Sequence, residues 1–182
     1  MRLNILGAII AGGRSRRFGS DKAVALFGGV RLIEHVIAGI APQVQSLVLC
    51  GRSTPGYRCL TDRPREGLGP LGGLAAALYY ARGQGFDGVL TSACDTPLIP
   101  PDLADHLAGR ESAIVMDQPL LGYWPSSLAV DLDEFLSCGY GRAMKDWALW
   151  TGARRVHLNS AIPNINTMSD LANLSSAMAV FG

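Results

Sequence analysis

Short apolar runs that stop at glycine- or acid-bearing loops constrain the fold of this chain more than any other feature. Ile5–Ala11, Ser46–Cys50, Gly88–Ala93 and Ser112–Met116 are too short for helices. They lack the alternation of a strand with one wet face, so they read as strands buried on both sides. A weaker strand, Tyr57–Thr61, delivers Asp62 at its end. Helical patterns stand between them. Leu32, Ile33, Val36, Ile37 and Ile40 form one stripe, ended by Pro42. Leu71, Leu74, Ala75, Leu78 and Tyr79 form a second behind Pro70, and Leu103 and Leu107 a third behind Pro100-Pro101-Asp102. Strand, loop and helix in repetition predict a three-layer α/β/α arrangement around a mostly parallel, doubly wound sheet with right-handed crossovers.

The last third is less regular. Leu121–Trp124 predicts a strand, antiparallel because Asp117-Gln118-Pro119 is too short for a crossover. Leu132, Phe135 and Leu136 mark a helix, as do Ala143, Met144, Trp147 and Trp150. Arg154–Leu158 predicts an edge strand. Thr167 and Asp170 have capping-box spacing ahead of a final helix faced by Leu171, Leu174 and Met178. At 182 residues, with 48% hydrophobic and 17% charged residues and no evident linker, the chain is expected to form a single domain over residues 1–182.

A net charge of +1 excludes a general attraction to nucleic acid or membrane. No apolar run is long enough to cross a bilayer and no leader with a small-residue cleavage site is present, so a cytoplasmic protein is expected. The four cysteines, Cys50, Cys59, Cys94 and Cys138, lack metal-site or redox spacing and read as small buried thiols of a reducing compartment.

Against that near-neutral background one loop stands out. Strand Ile5–Ala11 runs into Gly12-Gly13, and Arg14, Arg16, Arg17 and Lys22 follow, with Gly19 among them. Glycines let a backbone approach phosphate closely, and consecutive N–H groups in such a bend form an anion-binding concavity. The stretch matches neither the P-loop nor the GxGxxG signature. A solvated basic loop would carry the same arginines, but not the glycine pair at a strand end. Gly67-Leu68-Gly69-Pro70-Leu71-Gly72-Gly73 is a second glycine-rich stretch. Its glycines are costly inside a helix and point either to a closely approaching ligand or to a tight helix–sheet contact.

Asp95, in Cys94-Asp95-Thr96-Pro97, sits where open parallel sheets place ligands. Magnesium accompanies triphosphates and takes one or two protein carboxylates, which makes Asp95 a metal-ligand candidate. Capping of the turn through Thr96-Pro97 is the competing role, and the two are compatible. Lys22, Arg14 and Arg17 would then offset charge on the phosphates. The three histidines, His35, His106 and His157, share no motif with a nucleophile and read as surface residues.

The segments Ile10–Lys22 (IAGGRSRRFGSDK), Gly69–Leu74 (GPLGGL), Cys94–Pro97 (CDTP) and Asn164–Leu171 (NINTMSDL) together resemble the molybdenum cofactor guanylyltransferases. These are nucleotidyltransferases of glycosyltransferase-A-like, Rossmann-like fold, the nucleotide-diphospho-sugar transferase type. The segments occur in family order and span nearly the whole chain. The resemblance implies GTP and molybdopterin, or its molybdenum-bearing form, as substrates, with magnesium, replaceable by manganese, as cofactor. It allows transient contact with cofactor-biosynthesis proteins or with apo-molybdoenzymes. It places the nucleotide on Ile10, Ala11, Gly12, Gly13, Lys22, Cys50, Asp62, Gly69 and Asp95, the metal on Asp95, and the molybdopterin side on Asn164 and Asn166. Capping the last helix or shaping its turn is the alternative role for the two asparagines.

Three departures from the family pattern bear on these roles. Cys50 stands where similar sequences often carry asparagine and lacks an amide. Phe18 replaces the usual methionine, and Met168 the usual proline. Gly12, where cytidylyl-transferring relatives tend to have alanine, leaves room for a purine. Cytidylyl transfer to molybdopterin or another small phosphate acceptor, and a non-catalytic molybdopterin carrier, are the rival readings. A carrier would not need both Lys22 and Asp95.

Overall fold

The structure, a computed structural model, describes residues 3–12, 25–158, 162–165 and 167–179. Its centre is β1 (Ile5–Ile10), buried at every position. Side chains alternate along a strand. Leu6, Ala8 and Ile10 therefore enter one core, and Ile5 and Ile9 the other.

Both neighbours of β1 run parallel to it. β4 (Ser46–Cys50) pairs so that Ile10 stands opposite Cys50, and β6 (Gly88–Ala93) so that Ile10 stands opposite Ala93. β5 (Arg58–Leu60) extends the parallel side beyond β4. On the other side β8 (Gln118–Pro125) is antiparallel to β6 and to β7 (Ala113–Val115), and β9 (Arg154–Val156) closes the edge parallel to β7. The order is β5-β4-β1-β6-β8-β7-β9. The antiparallel strand, the edge strand and the mostly parallel sheet agree with the sequence reading.

On one face of the sheet α2 (Pro70–Gln84), α4 (Ala129–Cys138) and α5 (Met144–Trp150) bury Leu71, Leu74, Leu78, Leu132, Phe135 and Trp147. On the other, α1 (Leu32–Ile40) and α3 (Leu103–Leu107) bury Ile33, Val36, Ile40, Leu103 and Leu107. A third, small cluster joins Phe27 and Leu32 to Ile165 and to Leu171 of α6 (Met168–Ala179). No helix among the described residues is long and apolar enough to cross a membrane.

Gly28-Gly29, with φ of 58° and 81°, forms the two-residue turn of a hairpin, β2 (Leu26–Phe27) with β3 (Val30–Arg31), too short to leave a period in the sequence. Two expectations need correction. Tyr79 is not inward but 54% exposed, its ring covered by the Arg63 guanidinium at 3.7 Å. Of the cysteines only Cys50 is buried. Cys94 is half-buried, and Cys59 and Cys138 are exposed at the sheet edge and at a helix end.

Trp147 anchors the α4–α5 face. It is fully buried, meets Phe135 edge-on at 5.3 Å and stacks on Trp150 at 5.0 Å. Its indole N–H has no acceptor among the described residues. Trp147→Ala should cost about 3–5 kcal/mol in chemical denaturation. Trp147→Phe should cost distinctly less, because it removes an unpaired buried donor along with the lost volume.

Candidate active site

The chain leaves β1 towards β4 but leaves β6 towards β8 and β7, so the loops after β1 and β6 part in opposite directions. An open α/β sheet has its ligand crevice at such a parting. Hydrogen bonding carries the register one step past the strands. The Ala11 N–H donates to the Cys50 carbonyl at 2.9 Å, and the Cys94 N–H to the Ile10 carbonyl at 3.3 Å. Gly12, Gly51 and Asp95 thus emerge together at the carboxyl rim. The cationic loop begins there, but Gly13, Arg14, Arg17 and Lys22 lie outside the described residues.

Gly12 and Gly51 touch through their backbones. A Cβ on Gly51, whose φ is +78°, would lie 2.6 Å from the Gly12 Cα, and one on Gly12 would lie 3.2 Å from the Gly51 Cα. The space that a side chain at position 12 would take is filled by Gly51. Room for a purine does not explain this glycine.

Beside this crossing opens a cleft of about 600 Å³, a size typical of small-ligand sites. Gly12, Gly51, Arg52 and Ser53 line one side. Leu60, Thr61 and Asp62 run along the end of β5, and Glu66, Gly67 and Gly69 close the other side. Gly69 precedes Pro70 as the N-cap of α2, so the amino end of that helix starts beside the cleft.

Asp62 lies against the start of α2 and the closing loop, where the backbone N–H groups of Gly67 and Leu68 favour its charged carboxylate. A Cβ on Gly72 would sit 2.9 Å from it, and one on Gly73 3.0 Å from the Cys50 Cβ. The second glycine pair of the 67–73 stretch therefore serves helix–sheet contact, while Gly67 and Gly69 face the cleft. Burial, and secondarily the Glu66 charge, raise the Asp62 carboxyl above its ordinary range. Cys50 lies beneath the cleft floor, 0% exposed, and burial followed by the Asp62 charge pushes its thiol up to about 12. It offers its backbone carbonyl to Ala11 and stays an inert thiol.

Asp95 is half-buried at the end of β6 and is built into a polar chain that crosses to β8. The buried Thr96 hydroxyl lies 3.0 Å from the Asn164 Oδ1 and 3.4 Å from the Asp95 Oδ1. The Asn164 amide donates to the Gln118 Oε1 at 2.7 Å, and the Gln118 amide to the Ile162 carbonyl at 3.1 Å. The Ile165 N–H closes the ring on the Asp95 carbonyl at 3.0 Å. Asn164 therefore ties the Asp95 turn to the sheet and does not cap the last helix. Thr167 and Asp170 supply that cap reciprocally, at 3.1 and 2.8 Å. Asn166 lies outside the described residues.

Sequence reasoning missed Thr96, Gln118 and Glu66. Only Glu66 left a signal, as a second carboxylate in the loop opened by Asp62. Among the described residues no group of three or more His, Cys, Asp or Glu side chains could hold a metal. A cation at this rim would rest on Asp95 and on ligand oxygens, a donor set that suits magnesium.

A model of the MobA-like NTP transferase domain matches residues 7–148. The chain belongs to that family. Molybdenum cofactor guanylyltransferases of Rhizobium leguminosarum bv. trifolii and Cereibacter sphaeroides are each 34% identical to it, over 94% and 97% of this chain and 91% and 98% of theirs. The crystal structure of molybdopterin-guanine dinucleotide biosynthesis protein A from Archaeoglobus fulgidus superposes with a TM-score of 0.77. It is 23% identical and covers 96% of this chain and 98% of its own, a likeness of fold. This MobA-like chain is a nucleotidyltransferase.

The raised Asp62 carboxyl gives the MobA-like domain a pH signature. A proton held more tightly in the folded than in the unfolded chain stabilises the fold below the ordinary value of 3.8, and that contribution disappears as pH rises through the raised one. Wild type should lose stability relative to Asp62→Asn as pH climbs from about 3 to 7. Denaturation midpoints across that range check the sign, and a constant gap would remove burial as the cause.

Proposed function

We propose that this enzyme transfers the guanylyl group of GTP to the terminal phosphate of molybdopterin, in the cytoplasm. An oxygen of the acceptor phosphate attacks the α-phosphorus of GTP, the bond to the β-phosphate oxygen breaks, and pyrophosphate leaves. The observation that carries this reading is the emergence of Gly12 and Asp95 at adjacent strand ends beside a cleft of nucleoside size. The choice of donor and acceptor rests on the names of relatives that match nearly the full chain.

In this reading the backbone from Ala11 through Gly13 cradles the phosphates, and Asp62 and Gly69 border the nucleoside. Lys22, with Arg14 and Arg17, would offset the charge that builds on the departing pyrophosphate. Asp95 would hold Mg²⁺, for which manganese could substitute. When bound, the cation supplies charge compensation between the two reacting phosphates. Thr96, Asn164 and Gln118 keep the Asp95 turn in one orientation, so the carboxylate needs no rearrangement when substrate arrives. The molybdopterin side would fall to Asn164 and Asn166, of which Asn164 stands next to the Asp95 turn.

Purified protein given GTP, magnesium and molybdopterin should release pyrophosphate and form the guanine dinucleotide, whereas CTP should not replace GTP. Asp95→Ala should lower turnover by about 10²–10³-fold with folding retained. Wild-type turnover in that variant at limiting magnesium would remove Asp95 from the metal site. Lys22→Ala should reduce kcat by roughly 10²-fold with an unchanged melting temperature. An unaltered rate would leave Lys22 a solvated residue.

A further inference from the structure

If Gly12 does not select the base, another group must. We propose that Glu66 is the specificity-determining residue, its carboxylate accepting the N1–H and 2-amino protons of guanine. The inference rests on the guanylyl-transfer reading and deepens it.

Position is the first argument. The phosphates belong at the crevice between β1 and β6, and the cleft extends from Gly12 over β4 and β5 to Glu66. Three strand spacings separate β6 from β5, about 14 Å in all, a reach comparable with that of an extended nucleotide. A base pointing away from the phosphates ends at the loop that carries Glu66.

Chemistry is the second. Guanine presents two adjacent donors, which match the two acceptor oxygens of a carboxylate. Adenine and cytosine present one donor beside an acceptor nitrogen, which would face a carboxylate oxygen unpaired. Among the charged and polar side chains lining the cleft, Arg52 cannot accept a hydrogen bond, the Cys59 thiol is a weak acceptor, and Ser53 and Thr61 each bring one hydroxyl that accepts and donates alike. Asp62 is half-buried and pressed against Gly72. Glu66 is exposed in the cleft and supplies the remaining carboxylate.

Preorganisation is the third. Two residues after Glu66, Leu68 is buried in the core at 3% exposure, and Gly69 opens α2. The acid is therefore presented from a backbone anchored close by, and binding orders mainly its side chain.

The test compares GTP with inosine triphosphate, which keeps N1–H and lacks the 2-amino group. Wild type should favour GTP by about 10- to 100-fold in kcat/KM, carried mainly by KM. In Glu66→Gln, which sets an NH₂ against the 2-amino group, and in Glu66→Ala, the preference should fall to about unity. Calorimetric titration with either nucleotide, without acceptor, should show the same collapse. An unchanged preference in folded variants overturns the role of Glu66 and leaves guanylyl transfer standing. A wild type that turns over CTP in place of GTP overturns both.

Discussion

Parallel pairing of β1 on both sides is the constraint from which the site follows. A strand hydrogen-bonded to two parallel neighbours must be covered by helices on both faces, which explains its unbroken burial. The same pairing brings three strand ends to one rim in register. No side chain has to reach far for Gly12, Gly51 and Asp95 to meet, because the ladder itself delivers them. β8 breaks the parallel rule only beyond β6, and its reversed direction brings Gln118 to that same rim.

Two kinds of local fit refine what the sheet delivers. Glycines at 12, 51, 72 and 73 let backbones and a carboxylate lie within contact distance, so the loops after β1, β4 and β5 and the start of α2 hold one another. The packing of Asp62 against Gly72 and the hydrogen bonds of Asn164 then fix two irregular segments that no strand or helix would support. A site whose polar groups are already oriented has little rearrangement left for the moment of reaction.

Much of this was legible in the sequence, because strands buried on both faces and helices with one apolar stripe leave strong periodic signals. The boundaries of β4 and β6 and the reversed direction of β8 follow from such patterns and from a short connection. Asp95 was found because a lone acid at a strand end is unusual. Cys50 and Gly12 were harder to read, since their surroundings come from strands and loops distant in sequence. The Thr96–Asn164–Gln118 chain left no local mark, since its members are separated by up to 68 positions. The hairpin at Gly28-Gly29 was too short to carry a period.

The match to the MobA-like domain stops at residue 148, yet the molecule does not. β9, Asn164, Ile165 and Leu171 all come later, and they complete the sheet, buttress the turn of Asp95 and cover Phe27 and Leu32 from the amino-terminal part. The tail thus works as a strap laid back across the first half of the chain, joining the segment just after the cationic loop to the segment just after β6. A boundary drawn where that domain match ends would cut away the piece that ties the two halves of the crevice together.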